Sequence, residues 1–165
     1  MNLIWEHLKT IDSTQTFAHK YIRENPIAKP VLITSDIQTN GYGTKNSQWE
    51  SPNGNLYATL CFKPKYLNLS EISIISAKIM QIAIKEIAKI DVEIKEPNDL
   101  MYKNKKCGGI LCTWETDTDK NEILCIGVGV NCKQAPQTSQ ATTIIPCDSK
   151  KLAICWANKL TLINN

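Results

Sequence analysis

The 165-residue chain has no C-x-x-C pair among its seven cysteines (61, 107, 112, 125, 132, 147 and 155), and it has only two histidines. The spacing argues against a zinc knuckle, and the odd count argues against a secreted disulfide framework. Cysteines of this kind read best as small buried hydrophobes in a reducing compartment. His7 and His19 have no neighbouring ligand set in the sequence, so there is no transition-metal signature. No run approaches the roughly 20 consecutive apolar residues of a membrane span, and the opening MNLIWEHLKTID lacks a secretory-signal pattern. An excess of either charge sign is missing as well: 19 Lys and Arg against 16 Asp and Glu leave +3. The densest basic run, Lys103-Asn104-Lys105-Lys106, is too short for a nucleic-acid patch. Repeats, low-complexity tracts and linkers are absent too. The expectation is one compact cytoplasmic domain over residues 1–165, with neither nucleic acid nor membrane as a partner.

What is present is the ordinary material of a globular core, with 42% hydrophobic and 21% charged residues. Ser13-Thr14 is a hydroxyl cap before Phe17, Ala18, Tyr21 and Ile22, which share one helical stripe. Residues 30–37 (PVLITSDI) are β-branched and predict a strand. Residues 55–62 alternate Leu56, Ala58, Leu60 and Phe62 against Tyr57, Thr59 and Cys61, the period of a half-buried strand. Residues 70–90 predict the central helix, because isoleucines at 72, 75, 79 and 82 recur at three- and four-residue steps. Short strands follow at 91–95, 109–114 and 122–130, and a last helix at 151–162. Hairpin-length gaps late in the chain point to an α+β fold with a mixed, largely antiparallel sheet packed by helices.

Three glycine-containing polar segments follow or interrupt these strands: 38–49, 95–109 and 127–131. Neither GVGVN nor GYGTKN matches a dinucleotide or phosphate loop. Glycines around one site do permit close backbone approach and leave N–H groups free for anions.

Taken in order, IDST (11–14), QTNGYG (38–43) with W-x-S-P-x-G-N-L-Y (49–57), PNDLMYKNKKCGGIL (97–111) and GVGVN (127–131) resemble the catalytic core of biotin–protein ligases. The resemblance covers about residues 8–132. It implies the catalytic fold shared by biotin synthetases and class II aminoacyl-tRNA synthetases. It implies a reaction in which biotin and ATP form biotinyl-5'-AMP, followed by attack from a lysine of a biotin carboxyl carrier protein. Bringing a carboxylate to an anionic phosphate opposes two like charges near ~4 Å, a repulsion of about 4 kcal/mol at an effective dielectric of about 20. Offsetting it is worth roughly a thousandfold in rate, hence the need for cations, including Mg²⁺ carried on the ATP phosphates.

The resemblance also distributes roles. Lys106 matches the catalytic lysine between the biotin carboxylate and the phosphate, and Asp99 the aspartate beside the attacking carrier lysine. Ser13, Thr14 and Gln38 match the polar groups around biotin's ureido ring. Gly41, Tyr42, Gly109, Gly127 and Gly129 complete the biotin site, the last three by letting backbone approach the ring and its tail. Thr44, Lys45, Trp49, Asn98 and Asn131 match the ATP side, with Trp49 as a cover that folds over the ligands.

The segment 41–49 departs from the family pattern. Where relatives carry G-R-G-R-x-G-R-x-W, this chain carries G-Y-G-T-K-N-S-Q-W, so Tyr42, Thr44 and Ser47 replace arginines. Glu96 stands where the family has a tryptophan. The resemblance further implies a core without a preceding winged helix or a complete C-terminal β-domain, and possible pairing of two cores as a homodimer. Two other readings stay open: a biotin- or adenylate-binding protein with weak transfer, and a ligase for lipoate or octanoate.

Overall fold

The structure is a computed structural model that describes residues 3–65 and 71–164. Its frame is a seven-stranded sheet: β1 (Ile4–Ile11), β2 (Val31–Gln38), β3 (Leu56–Phe62), β4 (Glu93–Lys95), β5 (Asp99–Tyr102), β6 (Lys105–Thr116) and β7 (Glu122–Val130). The strands lie in the order β1-β2-β3-β7-β6-β5-β4. Only β1 and β2 run parallel, and every other neighbouring pair is antiparallel. The parallel pair follows from its connection, since helix α1 (Thr14–Glu24) carries the chain back between the two strands. This is the mixed, largely antiparallel α+β arrangement that the pattern of elements implies.

Helices cover both faces. On one side, α1 buries Ala18 and Ile22 against Val31, Ile33, Cys61, Ile123 and Cys125. On the other, α2 (Ile72–Ala88) and α3 (Ser149–Ile163) bury Met80, Ile84, Leu152, Trp156 and Leu160 against Leu32, Leu60, Phe62, Leu124 and Ile126. Fully burying one such large apolar side chain is worth about 1.5–3 kcal/mol. Strand β3 is therefore buried along its whole length, not half-buried as its alternation suggests. Its less apolar face, Tyr57, Thr59 and Cys61, lies under α1 and the cleft beside it.

Ser13 caps α1 as expected, its side chain accepting from Gln15 N. The helix expected over 70–90 spans Ile72–Ala88, and Ser70 lies outside the described residues. The last helix starts two residues earlier than its apolar stripe, because Asp148 accepts from the backbone N–H groups of Lys150 and Lys151. No described helix is long and apolar enough to cross a membrane. Strands β1 and β5 and the first four residues of β6 are elements that apolar periodicity does not reveal. Strand β7 has the bounds expected for it, 122–130, so Gly127 and Gly129 sit inside it.

Candidate active site

Helix α1 covers only part of the sheet face it packs on. Past its first turn the face is open, and the exposed floor is the row Gly109–Gly129, paired across β6 and β7, with Gly127 beside it. Small residues here hollow out a cleft that is open to solvent on one side. Its walls are Ser13, Thr14 and Gln15 from the α1 N-terminus, Gln38 from the end of β2, and Asn98 and Lys106 opposite.

The floor is tight at Gly127 and Gly129, whereas a Cβ on Gly109 would meet nothing closer than Lys106 Cε at 3.6 Å. A Cβ on Gly127 would stand 2.5 Å from Gln15 Oε1, and one on Gly129 would stand 2.7 Å from the Trp49 ring. Above it the polar groups form one connected set. Gln38 Oε1 accepts from Thr14 N at 2.8 Å and from Thr14 Oγ1 at 3.1 Å. Gln38 Nε2 donates to Ser51 Oγ at 2.9 Å, and Ser51 Oγ donates to the Trp49 carbonyl at 3.1 Å. Thr59 Oγ1 lies 3.0 Å from both Thr14 Oγ1 and Gln15 Oε1. Buried polar groups connected in this way hold one arrangement of donors and acceptors.

Lys106 reaches the cleft because of a β-bulge. Pairing between β5 and β6 shifts register after Leu100–Gly108, so that Met101 pairs with Lys106 and Cys107 is the extra residue. Strict alternation from Gly109 would turn Cys107 to the cleft and Lys106 away from it. Instead Cys107 is fully buried in the core on the α2–α3 side, where burial pushes its thiol up to about 12. Lys106 faces the cleft, its Nζ 2.7 Å from Asp99 Oδ1 and 5.5 Å from the centroid of the Trp49 ring. Its backbone is held by Gln140, which accepts from its N–H, and by Thr142, whose N–H donates to its carbonyl. Asn98 is pinned by Nδ2 donating to the Ile110 carbonyl at 2.9 Å.

Residues 41–49 fold as a small hairpin over this site. Trp49 N donates to the Gly41 carbonyl, Gly43 N donates to the Ser47 carbonyl, and Tyr42 bridges Gln48. A 3-10 turn over Thr44–Asn46 closes it, with Lys45 and Asn46 at φ 55° and 56°, the left-handed region that favours glycine. The hairpin lowers Trp49 onto Gly129, where its Nε1 is buried without a hydrogen-bond partner among the described residues. An unpaired buried donor of this kind carries a desolvation cost that a ligand acceptor can offset.

Eleven of the expected site residues line the one cleft: Ser13, Thr14, Gln38, Tyr42, Thr44, Trp49, Asn98, Lys106, Gly109, Gly127 and Gly129. Asp99 joins them through Lys106. Three others stand apart from the lining. Gly41 is packed beneath the hairpin, where a Cβ would meet Ser51 Oγ at 2.6 Å. Lys45 is exposed at the hairpin tip. Asn131 is buried behind β6, donating from Nδ2 to the Thr142 carbonyl, with Oδ1 unpaired among the described residues. Gln15 lines the cleft and had no sequence signal beyond following a helix cap; its contacts run to Thr113, 98 residues away.

The description of a biotin/lipoate A/B protein ligase family matches residues 7–131. The chain is 31% identical over 129 residues to the bifunctional ligase/repressor BirA of Bacillus subtilis, covering 76% of this chain and 39% of that protein. It thus spans about two-fifths of that relative's length. Among solved structures it is similar to the biotin protein ligase of Leishmania major in complex with biotin, at TM-score 0.81 and 27% identity, covering 96% of this chain and 72% of the other. It is similar also to that of Aquifex aeolicus in complex with biotin and ATP, at TM-score 0.77 and 28% identity, covering 99% and 72%. With the family description running across the strands and turns that build the cleft, this chain belongs to the biotin/lipoate A/B protein ligase family.

Proposed function

We propose that the chain activates biotin with ATP and passes it to a lysine of a biotin carboxyl carrier protein. The observation that carries this reading is the placement of Lys106 by the Cys107 bulge, at the mouth of a cleft whose inner end holds Ser13, Thr14, Gln15 and Gln38. A ligand with a polar head and an acidic tail fits that axis: head among the amides and hydroxyls, chain along the glycine floor, carboxylate at the Lys106 ammonium.

In the first step a biotin carboxylate oxygen attacks the α-phosphorus of ATP, the P–O bond to the β-phosphate breaks, and pyrophosphate leaves. Lys106 screens the approach of the two anions, the barrier that water alone leaves unscreened. In the second step the amine of the carrier lysine attacks the biotinyl carbonyl carbon, the acyl–phosphate bond breaks, and AMP leaves with the electron pair. Asp99, 2.7 Å from Lys106, stands where it can hold the incoming amine or take its proton. Trp49 and the hairpin exclude water from the mixed anhydride between the two steps. Among the described residues no three His, Cys, Asp or Glu side chains stand close enough to hold a metal ion. The Mg²⁺ expected with ATP would be held mainly by the phosphates, as is usual for this ion.

The sequence of the hairpin favours a looser hold on the intermediate than an arginine-bearing loop would give. Lys45 points from an exposed tip, and an ammonium cannot reproduce a guanidinium's planar pair of hydrogen bonds. Incubation with biotin, ATP, Mg²⁺ and an isolated carrier domain, read by intact mass, tests the proposal. One biotinyl addition on the carrier lysine is the expected result, and an unmodified carrier beside a modified control overturns it.

A further inference from the structure

The hydrogen-bonding capacity of the cleft is unevenly distributed. Gln38 Oε1 already accepts two hydrogens from Thr14, which fills its lone pairs, so the residue has only an Nε2 hydrogen to offer. Ser13 Oγ accepts from Gln15 N at 3.2 Å and retains its own proton. These two residues serve a ligand carbonyl and leave its N–H groups unserved. Gln15 supplies what they lack. Its Oε1 has two lone pairs and a single donor nearby, Thr59 Oγ1 at 3.0 Å, which has Thr14 Oγ1 as an alternative acceptor. An open acceptor therefore remains on Gln15 in either arrangement, directly over Gly127.

The side of the amide that faces the cleft is fixed from outside it. Gln15 Nε2 donates to Thr113 Oγ1 at 2.6 Å and to the Cys125 carbonyl at 3.3 Å. A flipped amide would set Oε1 against that carbonyl, acceptor against acceptor. Thr113 accepts from Gln15 because its own hydroxyl has a second partner, His19 Nε2 at 2.7 Å. His19 Nδ1 lies 3.0 Å from Glu115 Oε2, and a carboxylate only accepts, so in the neutral imidazole the ring proton sits on Nδ1 and Nε2 is left to accept. Desolvation works to raise the Glu115 carboxyl, but hydrogen bonds from Thr116 N, Arg23 and His19 hold it below its ordinary range, so it stays a carboxylate. Donor and acceptor roles thus run without a break from the α1 surface to the cleft floor.

We infer that Gln15 is a specificity-determining residue, accepting an N–H of the ligand's head group, and that Glu115, through His19 and Thr113, fixes the face it presents. The inference rests on the biotin reading above and sharpens it. A cyclic urea has N–H groups to donate, whereas a dithiolane or a plain acyl chain has none, so one acceptor separates the two ligand classes of the family.

Titration calorimetry with biotin and with ATP tests it on the full chain and three variants. Gln15→Met keeps the bulk and loses the acceptor, and it should bind biotin about 10- to 100-fold more weakly with ATP affinity within about threefold. Thr113→Val should weaken biotin about 3- to 10-fold, and adding it to Gln15→Met should cause almost no further loss, since both act through one hydrogen bond. Biotin affinity of Gln15→Met within about threefold of wild type, or losses that add in full, overturns the inference. A wild-type chain that binds no biotin overturns the proposed function instead. If Gln15→Met does not melt cooperatively, Thr113→Val and His19→Phe examine the same relay. Each should weaken biotin, and the pair no more than the larger single loss; unchanged affinity in both overturns it.

Discussion

Replacing Lys106 with methionine removes one charge and leaves the stem that rests near Trp49. The structure sets the two magnitudes that matter. For stability, the lysine side chain is 40% exposed and its partner Asp99 25% exposed, so the ion pair is worth no more than about 1 kcal/mol. For chemistry, the proposed function sets the ammonium where a carboxylate meets a phosphate, an opposition of about 4 kcal/mol near ~4 Å at an effective dielectric of about 20. That energy is roughly three decades in rate. Lys106→Met should therefore melt within a few degrees of wild type while forming adenylate about a thousandfold more slowly in a single-turnover experiment with labelled ATP. Biotin affinity should fall much less, because the cleft's inner end is untouched. A variant that folds, binds biotin and forms adenylate within about tenfold of the wild-type rate would refute the assignment of Lys106 as the electrostatic catalyst.

Three further expectations follow from single contacts. Gly129→Ala places a Cβ 2.7 Å from the Trp49 ring, so the ring must leave the floor; tryptophan emission should shift and stability fall by about 1–3 kcal/mol, and an unchanged spectrum and melt would contradict the packing. Thr44→Arg restores a guanidinium to the hairpin and should lengthen adenylate residence by up to about 10- to 150-fold; an unchanged off-rate would mean the hairpin holds the intermediate by other means. Asp117 is desolvated, yet backbone hydrogen bonds from Ile27, Asn121 and Asp119 hold its carboxyl down to about 2, below the ordinary 3.8. Its contribution is therefore complete above about pH 4 and lost as pH falls through about 2, so Asp117→Asn should be less stable at pH 7 and flatter between those values in acid melts. Equal pH slopes for both proteins would contradict this.

The sequence made the long apolar stripes and the capped helix legible, because burial on one face leaves a period and a capping serine leaves a signature. Strand β1 left neither. It is the sheet edge, its residues are largely exposed, and Glu6, His7 and Lys9 interleave with Trp5 and Leu8. The start of β6 reads as a polar loop, since Lys105, Lys106, Gly108 and Gly109 are poor strand formers; the ladders to β5 and β7 hold it extended. The bulge at Cys107 is the most consequential feature of this kind. Alternation alone would place Lys106 on the wrong face, and only the register shift shows why it reaches the cleft.

Gln15 was illegible for another reason. In the chain it is one more polar residue in a first helical turn, and its meaning lies in Thr113, His19 and Glu115, which the sheet brings to it from far along the sequence. Most of the other residues that the family resemblance singles out line one cleft, apart from Gly41, Lys45 and Asn131, which pack or project around it.

Biotin-dependent exchange of labelled pyrophosphate into ATP, with Mg²⁺ and no carrier protein, is the most direct test of the central claim. It isolates the first chemical step from docking of any carrier. The account predicts exchange that requires biotin, is not supported by lipoate, and is lost with Lys106→Met. Biotin that binds without promoting exchange, or exchange driven by lipoate in its place, would contradict it.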